Sequence, residues 1–381
     1  MTETLTPRRR YVETLTFGDL DRVPLQPGGP RESTLAAWHE EGLPQGVDWY
    51  PYLLEKLGID YDPPGEQIPL GVSFKMIPRF EEEVLEHTDE GTYIVRDWMG
   101  AITEISDNYD YTYIRRAKDF VTRKWHKFPV EGREDWEEKM KPRYDPEDPA
   151  RFPDDFEERC QRLNEADYPI TFKFNGPFWQ LREWVGFENL CKMMVTKKEF
   201  VEEMIEFWTE FVSRTMEPIL EKVRVDNVMI GEDMAYKEHS MISPEMARRF
   251  LKPAYDRWVG EIKSSGCPLV DMDSDGYIGE LIPLWVEAGI NCCDPIEVAA
   301  GNDIVEYRER FGKRMAYRGG IDKRALAAGG EKMREELERV VPPLLETGGF
   351  IPSCDHGVPP DISWPNFKEY TRLLAEMTGW L

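Results

Sequence analysis

Along the second half of the chain, short apolar stretches alternate with amphipathic ones. Ile170-Thr171-Phe172-Lys173-Phe174 has the period of two that marks a strand. Phe200, Met204, Phe207 and Phe211 recur at helical spacing and predict one face of a long helix. Residues 225–230 predict the next strand. Ser243-Pro244-Glu245 then opens a helix, with serine as N-cap and proline at the first helical position. A strand over 267–273 leads into a helix-like segment over 277–288, and Gly289-Ile290-Asn291-Cys292-Cys293 predicts a short strand. Residues 313–317 predict another, ended by Arg318-Gly319-Gly320-Ile321-Asp322. Gly349-Phe350-Ile351-Pro352 predicts the last, before a closing helix around 367–377.

Repeated strand-then-helix order implies parallel pairing and an α/β fold. So many units in one chain fit a (β/α)8 barrel better than an open sheet. The first half is less regular. Pro63-Pro64-Gly65 and residues 142–153 are loop-rich, and residues 66–115 alternate like β structure. The expectation is one barrel domain over residues 1–381, distorted, with a β-hairpin insertion at 66–115 turning at Gly91 and Gly100.

The net charge is −25. An acidic surface argues against nucleic-acid backbones and anionic membranes as partners. Six cysteines lie at 160, 191, 267, 292, 293 and 354 with no C-x-x-C pair, which points to reduced thiols. The first ten residues are polar and end in three arginines, unlike a signal peptide, and no apolar run is long enough to span a membrane. A soluble cytoplasmic protein is expected.

The chemistry gathers at the predicted strand ends, where barrel sites lie. Val270-Asp271-Met272-Asp273-Ser274-Asp275-Gly276 carries three acids at alternate positions. On a regular strand they share one face, and their repulsion calls for a cation, a proton or a ligand. Asp273 and Asp275 can hold a cation or act as acid and base; the plainer role is capping the next helix. Glu232 and Asp233 have the same two readings. His356, between Asp355 and Gly357, is the strongest single candidate, because a neighbouring carboxylate can raise its pKa. Cys354 is a thiolate ligand, a nucleophile or a small buried residue. Cys292-Cys293 is the weaker cysteine candidate. Gly319-Gly320-Ile321-Asp322 is a glycine turn that cradles an anion or simply supplies Asp322 as an N-cap. The twelve tryptophans line a cleft or fill the core.

Taken in order, these segments resemble the uroporphyrinogen decarboxylase superfamily, which also holds corrinoid-dependent methyltransferases. The resemblance starts with Pro7-Arg8-Arg9-Arg10 and Asp21-Arg22-Val23-Pro24. It continues through Phe174-Asn175-Gly176-Pro177-Phe178-Trp179, Glu232-Asp233-Met234-Ala235, Ile242-Ser243-Pro244, the acidic run 273–276, Gly319-Gly320-Ile321-Asp322 and His356-Gly357-Val358-Pro359. It implies a distorted (β/α)8 barrel with its site at the C-terminal strand ends. The decarboxylase's arginine-rich clamp is reduced to Arg31 in Gly29-Pro30-Arg31-Glu32, which disfavours a polyanionic porphyrinogen. Its late histidine corresponds to His356, and its barrel-top tyrosine falls near Trp184. Where the thiol-activating methyltransferases carry a zinc site of the form H-x-C, this chain has Asp273-Ser274-Asp275. Such a carboxylate-rich set suits oxygen ligands better than thiols.

The resemblance therefore implies methyl transfer between a small methylated substrate, of methyl ether or alcohol type, and a corrinoid on a separate protein. Asp275, His356, Asp273 and Glu232 are the expected catalytic residues. Asp273, Asp275, His356 and Cys354 are the expected ligands of zinc or another divalent metal. Trp184, Arg31, Asp233, Phe178 and Arg318 are expected to face the substrate. The alternative is a decarboxylase acting on a porphyrinogen or a smaller acid, with Arg31 or Arg318 holding a carboxylate. Paired acids and tryptophans on a barrel also allow a glycoside hydrolase, and lost chemistry would leave a corrinoid- or porphyrin-binding module. A homodimer is expected by analogy.

Overall fold

The computed structural model describes residues 4–60, 67–112 and 122–381. Pro63-Pro64-Gly65, residue 66 and residues 113–115 lie outside the described residues. Two compact units are distinguished, the first holding residues 1–70, 157–173 and 220–381, the second residues 71–156 and 174–219.

The second unit contains four antiparallel strands: β1 (Glu83–His87), β2 (Thr92–Arg96), β3 (Ile102–Ser106) and β4 (Arg123–Lys127). Gly91 and Gly100 lie in the turns between β1, β2 and β3, both at positive φ. The long helix Lys198–Lys222 also belongs here up to Ile219, and Phe200, Met204 and Phe211 are buried on its inner face.

The parallel sheet comprises β5 (Thr171–Asn175), β6 (Asn227–Gly231), β7 (Leu269–Asp273), β8 (Cys292–Asp294), β9 (Ala316–Ile321) and β10 (Phe350–Cys354). Their spatial order follows the sequence, and the pairs from β6 to β10 are parallel. Beyond β10 the chain at 26–30 continues the pairing, with Cys354 N–H donating to Pro27 O and a parallel bridge between Pro30 and Val358. Strands and intervening helices give the fold of a distorted (β/α)8 barrel. The helix Pro7–Leu15 closes the N-terminal end: Tyr11 and Leu15 pack on Leu269, Cys292, Ala316 and Ile351, all within the first two residues of their strands.

Several boundaries differ from the sequence reading, among them the strand expected at 289–293, which is Cys292–Asp294, and two others carry a physical reason. The strand expected at 313–317 starts at Ala316, because residues 312–314 form a 3-10 turn, and it runs on through both glycines. Gly319 has φ +93, and a Cβ there would sit 2.1 Å from Pro295 O. The pair therefore lets β9 pass close to another backbone rather than ending the strand. The segment after β7 enters its helix only at Ile282 (Ile282–Ala288), leaving 274–281 as an open loop. No helix of the described residues is long and apolar enough to cross a membrane.

Candidate functional site at the strand ends

Alternation along the strands decides what enters the barrel interior. On β7, Asp271 and Asp273 are two residues apart and share a side. Register sets Asp273 opposite Asp294 of β8. Arg318 of β9 reaches both acids: its Nη2 lies 3.0 Å from Asp294 Oδ2, and it also pairs with Asp271. Asp271 is fully buried, and it also accepts from Asn227 Nδ2 at 3.3 Å. Lys173 of β5 pairs with Asp273. Three carboxylates thus share two cations. One surplus negative charge is resolved most cheaply by a proton. Burial, with Asp271 and Asp273 adding to it against the pull of Arg318, pushes the Asp294 carboxyl up to about 8. Burial works against the Arg318 cation, but Asp271 and Asp294 overcome it and raise its pKa further.

Above this layer, β7 ends at Asp273, so Asp275 sits in the loop. Gly276, at φ +81, lets the turn close against the Ala235 carbonyl, which a Cβ would meet at 2.4 Å. His356 follows β10 by two residues, and its Nε2 lies 3.3 Å from Asp275 Oδ2. The Asp275 contact raises the His356 pKa, against the opposing effect of burial. Arg31 Nη2 is 3.3 Å from His356 Nδ1. The histidine therefore has a carboxylate on one nitrogen and a guanidinium on the other. Its side chain is 27% exposed and that of Asp275 37%, so both face solvent. A third cluster lies beside them. Lys323 Nζ is 3.1 Å from Glu297 and 3.5 Å from buried Asp355. Burial pushes the Asp355 carboxyl up to about 6 despite Lys323.

Asp275, His356 and Arg31 come together, and Arg318 joins Asp271 and Asp294 deeper down. Glu232 is fully buried, accepts from the Tyr255 hydroxyl, and its N–H donates to Asp273 O at 2.9 Å. Asp233 follows at φ +43, an uncommon backbone state for a non-glycine residue. Phe178 and Trp184 belong to the second unit, where both are fully buried and the Trp184 Nε1 donates to the Tyr144 hydroxyl at 3.3 Å. Asp322 is an N-cap, accepting from Arg324 N–H.

The expected metal set does not assemble. Asp273 is engaged by Lys173 and Asp275 by His356. Cys354 is 2% exposed, and burial pushes its thiol up to about 12, which suppresses the thiolate a metal needs. Among the described residues, no three His, Cys, Asp or Glu side chains converge to hold an ion.

Lys173, Glu297 and Lys323 were not singled out from the sequence. Lys173 did carry a signal: it alternates with Phe172 and Phe174, so it had to project to the side opposite two apolar residues. Glu297 and Lys323 are 26 residues apart, and nothing local pairs them.

The family model for uroporphyrinogen decarboxylase (URO-D) matches residues 134–377. Uroporphyrinogen decarboxylase of Ruthia magnifica subsp. Calyptogena magnifica is 19% identical over 212 residues, 54% of this chain and 59% of that one. The enzyme of the same name from Geobacillus kaustophilus is 27% identical over 140 residues, 36% of this chain and 38% of that one. The chain thus spans about half the length of the curated relatives it matches. A methyltransferase from Methanosarcina mazei superposes with a TM-score of 0.54 at 15% identity, covering 98% of each chain, a likeness of fold.

Proposed function

This chain belongs to the uroporphyrinogen decarboxylase family, and on that premise we propose that it transfers a methyl group from a small methyl ether or methylated alcohol to a corrinoid carried by a separate protein. The observation that carries the reading is the Asp275–His356 contact at an open rim, above an interior rich in carboxylates. The layer of Asp271, Asp273 and Asp294, neutralised by Arg318, Lys173 and a proton, suits a neutral substrate. Arg31, the remnant of the clamp, is already directed at His356.

The docked corrinoid would supply the nucleophile that takes the methyl group. This chain's residues manage the oxygen left behind. The O–CH3 bond breaks, the oxygen keeps the bonding electron pair, and the proton that His356 Nε2 shares with Asp275 Oδ2 passes to it. Asp275 holds the imidazole in its charged form beforehand. No metal step is included, because the donor set does not converge.

Decarboxylation of a small acid is the second reading, favoured by Arg31 beside His356: a guanidinium there can hold one carboxylate while the histidine protonates the carbon that loses carbon dioxide. The test incubates the protein with reduced cobalamin and a panel of methyl ethers, following the demethylated alcohol or phenol by mass spectrometry. Demethylation that falls at least ~100-fold in His356→Ala supports the proposal. Carbon dioxide from a panel of carboxylic acids, with every ether left intact, replaces it with the second reading.

A further inference from the structure

The first unit encloses a cavity of about 690 Å³ that none of Asp275, His356 and Arg31 lines. Its position is set by the N-terminal end of the barrel. Tyr11 and Arg10 come from the closing helix, Tyr168 from the approach to β5, and Trp380 from the C-terminus. Trp49 and Arg22 complete the walls. The volume suits a single-ring ligand with room for substituents.

The two arginines are not equivalent. Arg10 is neutralised by Asp21, with Nε at 2.9 Å from Oδ1 and Nη2 at 2.6 Å from Oδ2. Arg22 Cζ lies over the Trp380 ring, 3.6 Å from its centroid, and its Nε is buried with no hydrogen-bond acceptor among the described residues. A buried donor without an acceptor is costly, and a guanidinium stacked on an indole keeps its planar fork pointed at whatever fills the space beside it. Burial and Arg10 lower the Arg22 pKa, against the opposing pull of Asp21 and Asp60. Tyr11, Trp49, Tyr168 and Trp380 offer flat apolar surface around it.

We propose that this cavity binds a small planar aromatic carboxylate, its ring against the aromatic walls and its carboxylate on Arg22. The indole backs the guanidinium, and the carboxylate pairs with its terminal nitrogens. The site lies apart from the rim, and the inference does not rest on the methyl-transfer reading.

Benzoate is the probe, titrated into the full chain by calorimetry, with quenching of tryptophan fluorescence as a second readout. Saturable binding is expected, at least tenfold weaker for neutral benzamide and for cyclohexanecarboxylate. Arg22→Gln should weaken benzoate at least tenfold while its near-ultraviolet circular dichroism matches the parent. His356→Ala should bind benzoate unchanged. Trp49→Phe, which keeps a ring in the wall, should bind within about threefold and lose part of the quenching. Absence of saturation at 10 mM benzoate (about 2.7 kcal/mol at most) overturns the proposal. So does equal binding by Arg22→Gln or by benzamide, and loss of binding in His356→Ala would move the ligand to the rim.

Discussion

His356 Nε2 lies 3.3 Å from Asp275 Oδ2, joining the loop after β7 to the loop after β10. Those loops meet only because the strands before them are held in one parallel sheet, with β8 and β9 between them. The contact favours the charged imidazole and raises its pKa. Asp275→Asn should therefore lower the His356 pKa and move the alkaline limb of the activity profile to lower pH. Proton NMR titration of the histidine ring, beside the pH–rate curve, reads both. An unchanged ring titration would dismiss Asp275 as its partner.

The same shift has a stability consequence. A histidine whose folded pKa exceeds its unfolded value of ~6.5 contributes stability below that value and loses it as pH rises through the folded pKa. The stability gap between parent and Asp275→Asn should thus be wider near pH 6 than near pH 9. Urea melts at the two pH values check this. A gap that widens toward alkaline pH would contradict it.

Removing the imidazole should cost activity, not fold. His356 lies two residues beyond β10, and its side chain is 27% exposed. His356→Ala is expected to slow turnover by roughly 10²–10⁴-fold, the usual range for a lost acid–base group. The melting temperature should stay near the parent's. Near-parental turnover would remove His356 from the chemistry.

Deeper in the barrel a carboxyl gives a dependence of the same sign. Asp294 keeps its proton to about 8, far above the ordinary aspartate value of 3.8. Between those values the folded state binds a proton that the unfolded state has released, so stability falls as pH rises through that window. Asp294→Asn should flatten that fall and gain on the parent as pH increases from 5 to 8.5. Parallel stability curves for the two proteins would show that Asp294 is already ionised.

Arg318 holds that layer together, and a buried charge left without its partner is expensive. Arg318→Met strands Asp271, which is fully buried, and should destabilise the protein by about 3–5 kcal/mol. Denaturant unfolding measures it. A change below about 1 kcal/mol would mean that Asp271 does not depend on Arg318 for its burial.

The strand-helix order and the candidacy of Asp273, Asp275, Arg318 and His356 were readable from the chain. Period-two and helical spacing report which side of an element is apolar, and glycine-acid runs report where strands stop. The limits of that reading show at β9. Gly319 and Gly320 look like a strand terminator, yet they lie inside the strand, because what demands glycine is the approach of Pro295 O from another segment. The same holds for the charges. The sequence shows acids at alternate positions, but not that Lys173 would answer Asp273, or that Arg318 would be shared by Asp271 and Asp294. It shows a cysteine beside a histidine, but not that burial leaves the thiol inert. Local pattern determined the elements and the side each residue takes. Only the tertiary structure decided which charge meets which, because strand register and burial set those distances, and residues far apart in the chain carry no local trace of them.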